Sequence, residues 1–156
     1  MKKVYIINPF NLSKVTDEAI CEQIDEIISK YEPDADIPSV VADNIEIGSS
    51  ILELEGELIA RFTSRYYSKK LDNDKGEALE MHRLRTQWSK ENTEKAPAIK
   101  YFEAKATEKY QLSREEEYKL LENLTRFKYS YQSLESKTNA WKKKLEAMKY
   151  DLSGRM

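Results

Sequence analysis

Cysteine occurs once in this chain, at Cys21, and histidine once, at His82. A lone cysteine excludes an internal disulfide and fits a reducing cytoplasm. One cysteine and one histidine, far apart in sequence, argue against a zinc centre and against a nucleophile–base pair. His82, beside Arg83, reads as a surface residue. No glycine-rich phosphate loop, His-Glu-x-x-His motif or nucleophile elbow is present. Glu115, Glu116 and Glu117 are consecutive, so on a helix they do not converge on one point. The residues therefore imply no catalytic site, metal or cofactor, and the chain is expected to bind and assemble rather than to catalyse. No apolar run approaches the length needed to cross a bilayer. The first residues, Met1-Lys2-Lys3-Val4-Tyr5-Ile6-Ile7, begin as a signal peptide does. The apolar run stops at Asn8 with no small-residue cleavage site, so secretion is not expected.

Glycine and proline are also scarce, at four each in 156 residues, so few positions interrupt regular structure. Charged residues make up 35% and hydrophobic ones 40%, a balance that favours long helices. Ten tyrosines lift the aromatic share to 10%, more than a disordered chain carries. The length suits one domain with a modest core.

The net charge of −2 hides a division. Residues 1–57 hold 13 acids and 4 bases, and residues 58–156 hold 15 acids and 22 bases. Such asymmetry points either to a partner for one half or to mutual neutralisation.

Asn8-Pro9-Phe10-Asn11 signals a turn, and Val4–Ile7 reads as a short strand or an extended arm. Thr16 is placed to cap a short helix, with Asp17 and Glu18 where the dipole favours acids. Ile20, Ile24, Ile27, Ile28 and Tyr31 recur at helical spacing, and Glu32–Pro38 reads as a linker. A second helix is expected from about Ser39 to Leu71. It has one seam at Ile47, Ile51, Leu54 and Leu58 and another at Ile45, Leu52, Ile59 and Tyr66. Gly48 and Gly56 inside it either permit close helix approach or mark a break. Leu71–Gly76 reads as a turn, followed by a helix over Glu77–Ser89 and another opening at Ala96-Pro97. Ser113-Arg114-Glu115-Glu116 has the pattern of a capping box. Beyond it Leu120, Leu124, Phe127, Tyr131, Leu134, Thr138, Trp141, Leu145, Met148 and Leu152 follow a heptad-like rhythm. A helix of about 38 residues would be on the order of 57 Å long, too long to be buried in a compact domain of this size. The expected fold is all-α: a long helical hairpin with short connecting helices, oligomerising through heptad-like seams. Residues 1–38 are expected to form an acidic segment with one short helix, and residues 39–156 a basic hairpin body.

Two basic stretches carry candidate chemistry. Over Arg61–Lys70 lie four bases, no acids and three aromatics. Arg61, Arg65 and Lys69 share a helix face, with Tyr66, Tyr67 and Lys70 beside them. Cations that track a backbone and rings that stack on bases are what a single strand requires. The plain alternative is a solvated basic face with tyrosines filling a core. From Arg126 to Lys149 seven bases meet two acids, with Lys142, Lys143 and Lys144 around Trp141 and Leu145. Bases near a helix C-terminus also suit the dipole. Against these stands the acidic stretch 16–57, where Lys30 is the only base. It serves solubility, docks a basic partner, or covers the basic face. If it covers that face, removing residues 1–44 should strengthen nucleic-acid binding.

The order of these features resembles the UvsY-like recombination mediators of large tailed phages. Their basic segment ends in a Tyr-Tyr motif, and a long helix then ends in a basic, tryptophan-bearing stretch. Arg65-Tyr66-Tyr67-Ser68-Lys69 is similar to the first, with Lys69 where glycine is common. Ser136-Lys137-Thr138, Trp141–Glu146, Lys149-Tyr150 and Gly154 are similar to the second, with Ala147 where a tryptophan often follows. The resemblance spans roughly residues 54–156 and leaves the acidic part unplaced. It implies a ring-like homo-oligomer of helical hairpins. It also implies single-stranded DNA, a RecA-like recombinase and a single-strand-binding protein as partners. Arg61, Arg65, Lys69 and Lys70 would then neutralise phosphates and Tyr66 and Tyr67 would stack. Lys142, Lys143 and Lys144 would extend the basic path or join subunits. The other expectation is a non-enzymatic helical module, an assembly adaptor or DNA-mimicking inhibitor acting through its acidic part.

Overall fold

The computed structural model describes residues 9–154. Val4–Ile7, expected as a strand or an arm, lie outside the described residues. A 3₁₀ segment at Pro9–Lys14 precedes four helices: α1 (Asp17–Ile28), α2 (Pro38–Glu91), α3 (Ile99–Lys109) and α4 (Gln111–Gly154). Among the described residues there is no strand, so the protein is all-α. None of their helices is long and apolar enough to cross a membrane. The chain divides into two compact units: Met1–Ala60 with Thr125–Met156, and Arg61–Leu124.

The first unit is built on carbon. Thr16 has the extended backbone of an N-cap, and its hydroxyl accepts the Ala19 N–H at 3.2 Å. The α1 stripe Ile20 and Ile27 joins the α2 seam Ile47, Ile51, Leu54 and Leu58 in one buried cluster. Leu12, Val15, Ile24, Tyr31, Phe127 and Leu134 pack around it. Each fully buried aliphatic side chain contributes about 1.5–3 kcal/mol relative to exposure. The second seam, Ile45, Leu52 and Ile59, is half-buried. Helix α2 starts at Pro38, whose missing N–H costs nothing in a first turn, and Val41 N–H bonds Ile37 O at 3.0 Å.

The linker before α2 is fixed by a residue with no apolar signature. Asn44, 1% exposed, donates to Glu32 O at 2.7 Å and accepts from Glu32 N at 3.0 Å. Opposite, α4 runs antiparallel to α2, pairing Glu55 with Ser130 and Gly48 with Thr138. Gly48 is there for close approach: a Cβ would meet the Thr138 hydroxyl and lie 3.3 Å from both its carbons.

The second unit is laced with polar bonds. The expected turn at Leu71–Gly76 is absent, and the expected second and third helices are one helix, α2. The turn-forming residues are instead occupied by tertiary partners. Buried Asn73 donates to Ser113 O at 3.2 Å and to Glu117 at 3.0 Å. Asp74 pairs with Lys70 and Arg114. Gly76 lies under Tyr110, whose ring atoms would be 2.5 Å from a Cβ. The capping box is likewise not formed. Ser113 sits inside α4, donating to Asn73 at 2.5 Å, and Glu116 pairs with Lys69. The break between α3 and α4 is the single residue Tyr110, and α3 begins at Ile99, two residues after the expected Pro97.

Arg114 is the hub. It bonds Glu77 through Nε (2.9 Å) and Nη2 (3.1 Å), Glu117 through Nη1 (2.7 Å) and Asp74 through Nη2 (2.8 Å). Glu80 receives Arg83 and Lys109 at 2.7 and 2.9 Å. Apolar packing is smaller here: Phe102 and Ala106 are buried, and Trp88 meets Tyr101 and Phe102 edge-on.

Candidate nucleic-acid interface

One basic segment lies in each unit. In the second unit, Arg61–Lys70 is uninterrupted helix, so Arg61, Arg65 and Lys69 do share a face. The Arg65 guanidinium lies 5.2 Å from the Phe62 ring centre. Half-buried Tyr66 meets Tyr67 edge-on at 5.1 Å, and Tyr67 is 61% exposed. A ring this open on a basic helix offers a stacking surface, and the cation–π contact keeps the Arg65 side chain positioned.

The cations are not bare. Lys69 Nζ is 2.6 Å from Glu116 and Lys70 Nζ is 3.1 Å from Asp74. Arg61 and Arg65 also have partners within the chain. These contacts leave their mark on the acids. The hydrogen bond from Lys69 holds Glu116 below the usual carboxylate range. Hydrogen bonds from Arg114 and Lys70 do the same for Asp74. Solvent screens exposed pairs of this kind, so a phosphate oxygen competes readily with a carboxylate for the same ammonium.

In the first unit, Lys142 and Lys143 are exposed, while Lys144 is held. Its Nζ donates to Ala35 O at 2.6 Å and to Asp36 at 2.9 Å, and lies 5.2 Å from the Trp141 ring centre. The Trp141 indole N–H donates to the Tyr31 hydroxyl. Sequence reasoning missed these partners. Lys70–Asp74 is an i,i+4 pair on α2 that the expected turn at Leu71–Gly76 concealed, whereas Glu116 and Asp36 meet their lysines only through the fold.

Residues 1–44 do more than carry acid. They supply Ile20 and Ile27 to the core, so their removal would dismantle the first unit rather than uncover a face.

His82 is exposed, and among the described residues no three His, Cys, Asp or Glu side chains converge to hold a metal ion. Cys21 is half-buried, and burial, then Asp25, Asp17 and Glu18, push its thiol up. No protein-family model matches this chain, and no curated protein or solved structure is significantly similar to it.

Proposed function

We propose that this protein is a recombination mediator that binds single-stranded DNA and helps a RecA-like recombinase load onto it. The observation that carries the reading is Tyr67, 61% exposed within the acid-free basic stretch Arg61–Lys70 of one continuous helix. Cations along the helix track phosphates, and Tyr67 stacks on an unstacked base; Tyr66 does so less, being half-buried. Lys142 and Lys143 supply further exposed positive charge in the first unit. Such a mediator needs no catalytic residue. It shifts which protein occupies the strand through differential affinity for the two states. Assembly as a homo-oligomer would multiply weak strand contacts through effective concentration. The recombinase and a single-strand-binding protein are the protein partners this reading requires.

The test is binding of a fluorescent single-stranded oligonucleotide across a salt series. The native chain is compared with Tyr67→Ala and with an Arg61/Arg65/Lys69/Lys70→Ala variant. Native binding should weaken steeply with salt, and the quadruple variant should show a shallower slope. Loss of one stacking ring costs about 1–3 kcal/mol of affinity. Absence of native binding at low salt would remove the reading.

A second reading rests on α1, whose Glu18, Glu22, Asp25 and Glu26 are exposed. That surface would serve an adaptor or inhibitor that presents acid to a basic protein. Capture of a basic partner lost on neutralising those four acids, with no strand binding, would favour it.

A further inference from the structure

The contact between the α1–α2 linker and the end of α4 has the form of an occupied anion site. Lys144 donates two of its N–H bonds to the linker, one to Ala35 O at 2.6 Å and one to the Asp36 carboxylate at 2.9 Å. The ammonium also lies over Trp141. Trp141 itself is fixed by Tyr31, which accepts its indole N–H and meets it edge-on at 6.1 Å. The linker has anchors besides Lys144. Ala35 is buried, and Asn44 clamps Glu32 from the other side through both its amide atoms. Asp36, by contrast, has its side chain 87% exposed. Its carboxylate is thus presented to Lys144 by a corner that is held elsewhere, and it can leave without unpacking the core.

Resting on the strand-binding reading above, we propose that Asp36 is a built-in competitor that occupies the position of a strand phosphate at Lys144. A phosphodiester oxygen carries the same charge and accepts the same hydrogen bonds as the carboxylate. Lys142 and Lys143 are exposed on other sides of the same helical turn and add positive charge near the site. The contact therefore lowers affinity for weakly held strands without closing the site, because an exposed ion pair is easily displaced.

The test compares the native chain with Asp36→Asn, Lys144→Gln and the double variant, using the fluorescent single-stranded oligonucleotide. Helical circular dichroism and melting temperature serve as controls for folding. Asp36→Asn should tighten binding about two- to five-fold at low salt, the range of a released surface pair. It should also steepen the salt dependence by about 0.7 in log–log slope, the contribution of one more neutralised phosphate on a single strand. Both changes should vanish in the Lys144→Gln background. Tightening that persists without Lys144 would reduce the effect to bulk charge and overturn it. Unchanged affinity in Asp36→Asn beside firm native binding would overturn the competitor and leave the strand-binding reading intact. Failure of both proteins to bind would remove the two together.

Discussion

The two units reach order by different means. In the first, six buried aliphatic residues from α1 and α2 form a continuous cluster, and Phe127 and Leu134 from α4 close on it. In the second, the corresponding positions of α2 are Asn73, Gly76, Glu77 and Glu80, and its α4 face offers Ser113, Arg114 and Glu117. Carbon in the first unit is replaced by a chain of ion pairs and hydrogen bonds in the second. The apolar cluster is non-directional and tolerant of sliding, whereas the Arg114 hub admits only one register. This division also shapes the candidate site. The second unit's basic stretch belongs to a region where acids are plentiful and already engaged, so a ligand there must displace carboxylates.

The sharpest way to break the comparison is to remove carbon from the first unit. Leu58 is fully buried, and Leu58→Ala should cost about 2–5 kcal/mol in denaturant unfolding. Leu79→Ala in the second unit, where Leu79 is 70% exposed, should cost almost nothing. Equal losses would mean that the second unit hides an apolar core after all. In the second unit the damaging change is Arg114→Met, which fits the space but leaves Asp74, Glu77 and Glu117 without their shared cation. A loss of about 1–3 kcal/mol is expected, since Glu77 and Glu117 are left without the hydrogen bonds that satisfy them. Arg114→Lys should recover little, because an ammonium cannot reproduce the fork onto Glu77. Full rescue by lysine would show that charge alone suffices.

These contrasts explain what was legible in the sequence. The Ile47, Ile51, Leu54, Leu58 seam was readable because periodicity reports burial when a core is apolar, and all four are buried. The Thr16 cap was readable because capping is local. The stretch Asp72-Asn73-Asp74-Lys75-Gly76 was misread as a turn for the converse reason. Its residue types favour turns, and the partners that hold them in a helix, Ser113, Glu117, Arg114 and Tyr110, lie some forty positions away. Ser113 and Glu116 looked like a capping box because their spacing is right, yet Asn73 and Lys69 claim both side chains. For the candidate site, the sequence put Arg61, Arg65 and Lys69 on one helix face. It could not show that Lys69 and Lys144 are already paired, because ion pairs between distant segments leave no periodic trace.

Acid should separate the units. Hydrogen bonds from Arg83 and Lys109 pull the Glu80 carboxyl down to about 2. Burial works to raise Glu117, but hydrogen bonds from Arg114 and Asn73 outweigh it and hold it low. A carboxyl depressed on folding stabilises the fold above its unfolded pKa, and that contribution is lost as pH falls toward its folded value. The second unit should therefore weaken between the ordinary carboxylate range and about pH 2. Each unit has its own tryptophan, Trp88 in the second and Trp141 in the first. In single-tryptophan variants, Trp88 emission should change at a higher pH than Trp141 emission. Coincident curves would show that the two regions melt as one.

The smallest expected effect concerns the one carboxyl that does not follow its unit's rule. Glu55 lies in the apolar first unit at 6% exposure, accepts the Ser130 hydroxyl at 2.6 Å through Oε1, and has no hydrogen-bond partner for Oε2. Burial pushes its carboxyl up, and the Ser130 hydrogen bond only partly opposes this. The sign is opposite to that of Glu80. A carboxyl raised on folding keeps its proton in the native state after the unfolded chain has lost it, so stability falls as pH rises between the two values. Glu55→Gln keeps the acceptor for Ser130 and removes the charge. It should leave stability unchanged in acid and raise it by about 1 kcal/mol near neutrality, where the native protein holds an under-compensated anion. Measured as melting temperature against pH, the two proteins should coincide at low pH and diverge above the ordinary carboxylate range. A variant less stable than the native chain at neutral pH would mean that the carboxylate at position 55 is compensated, and that the first unit is less purely apolar than its packing implies.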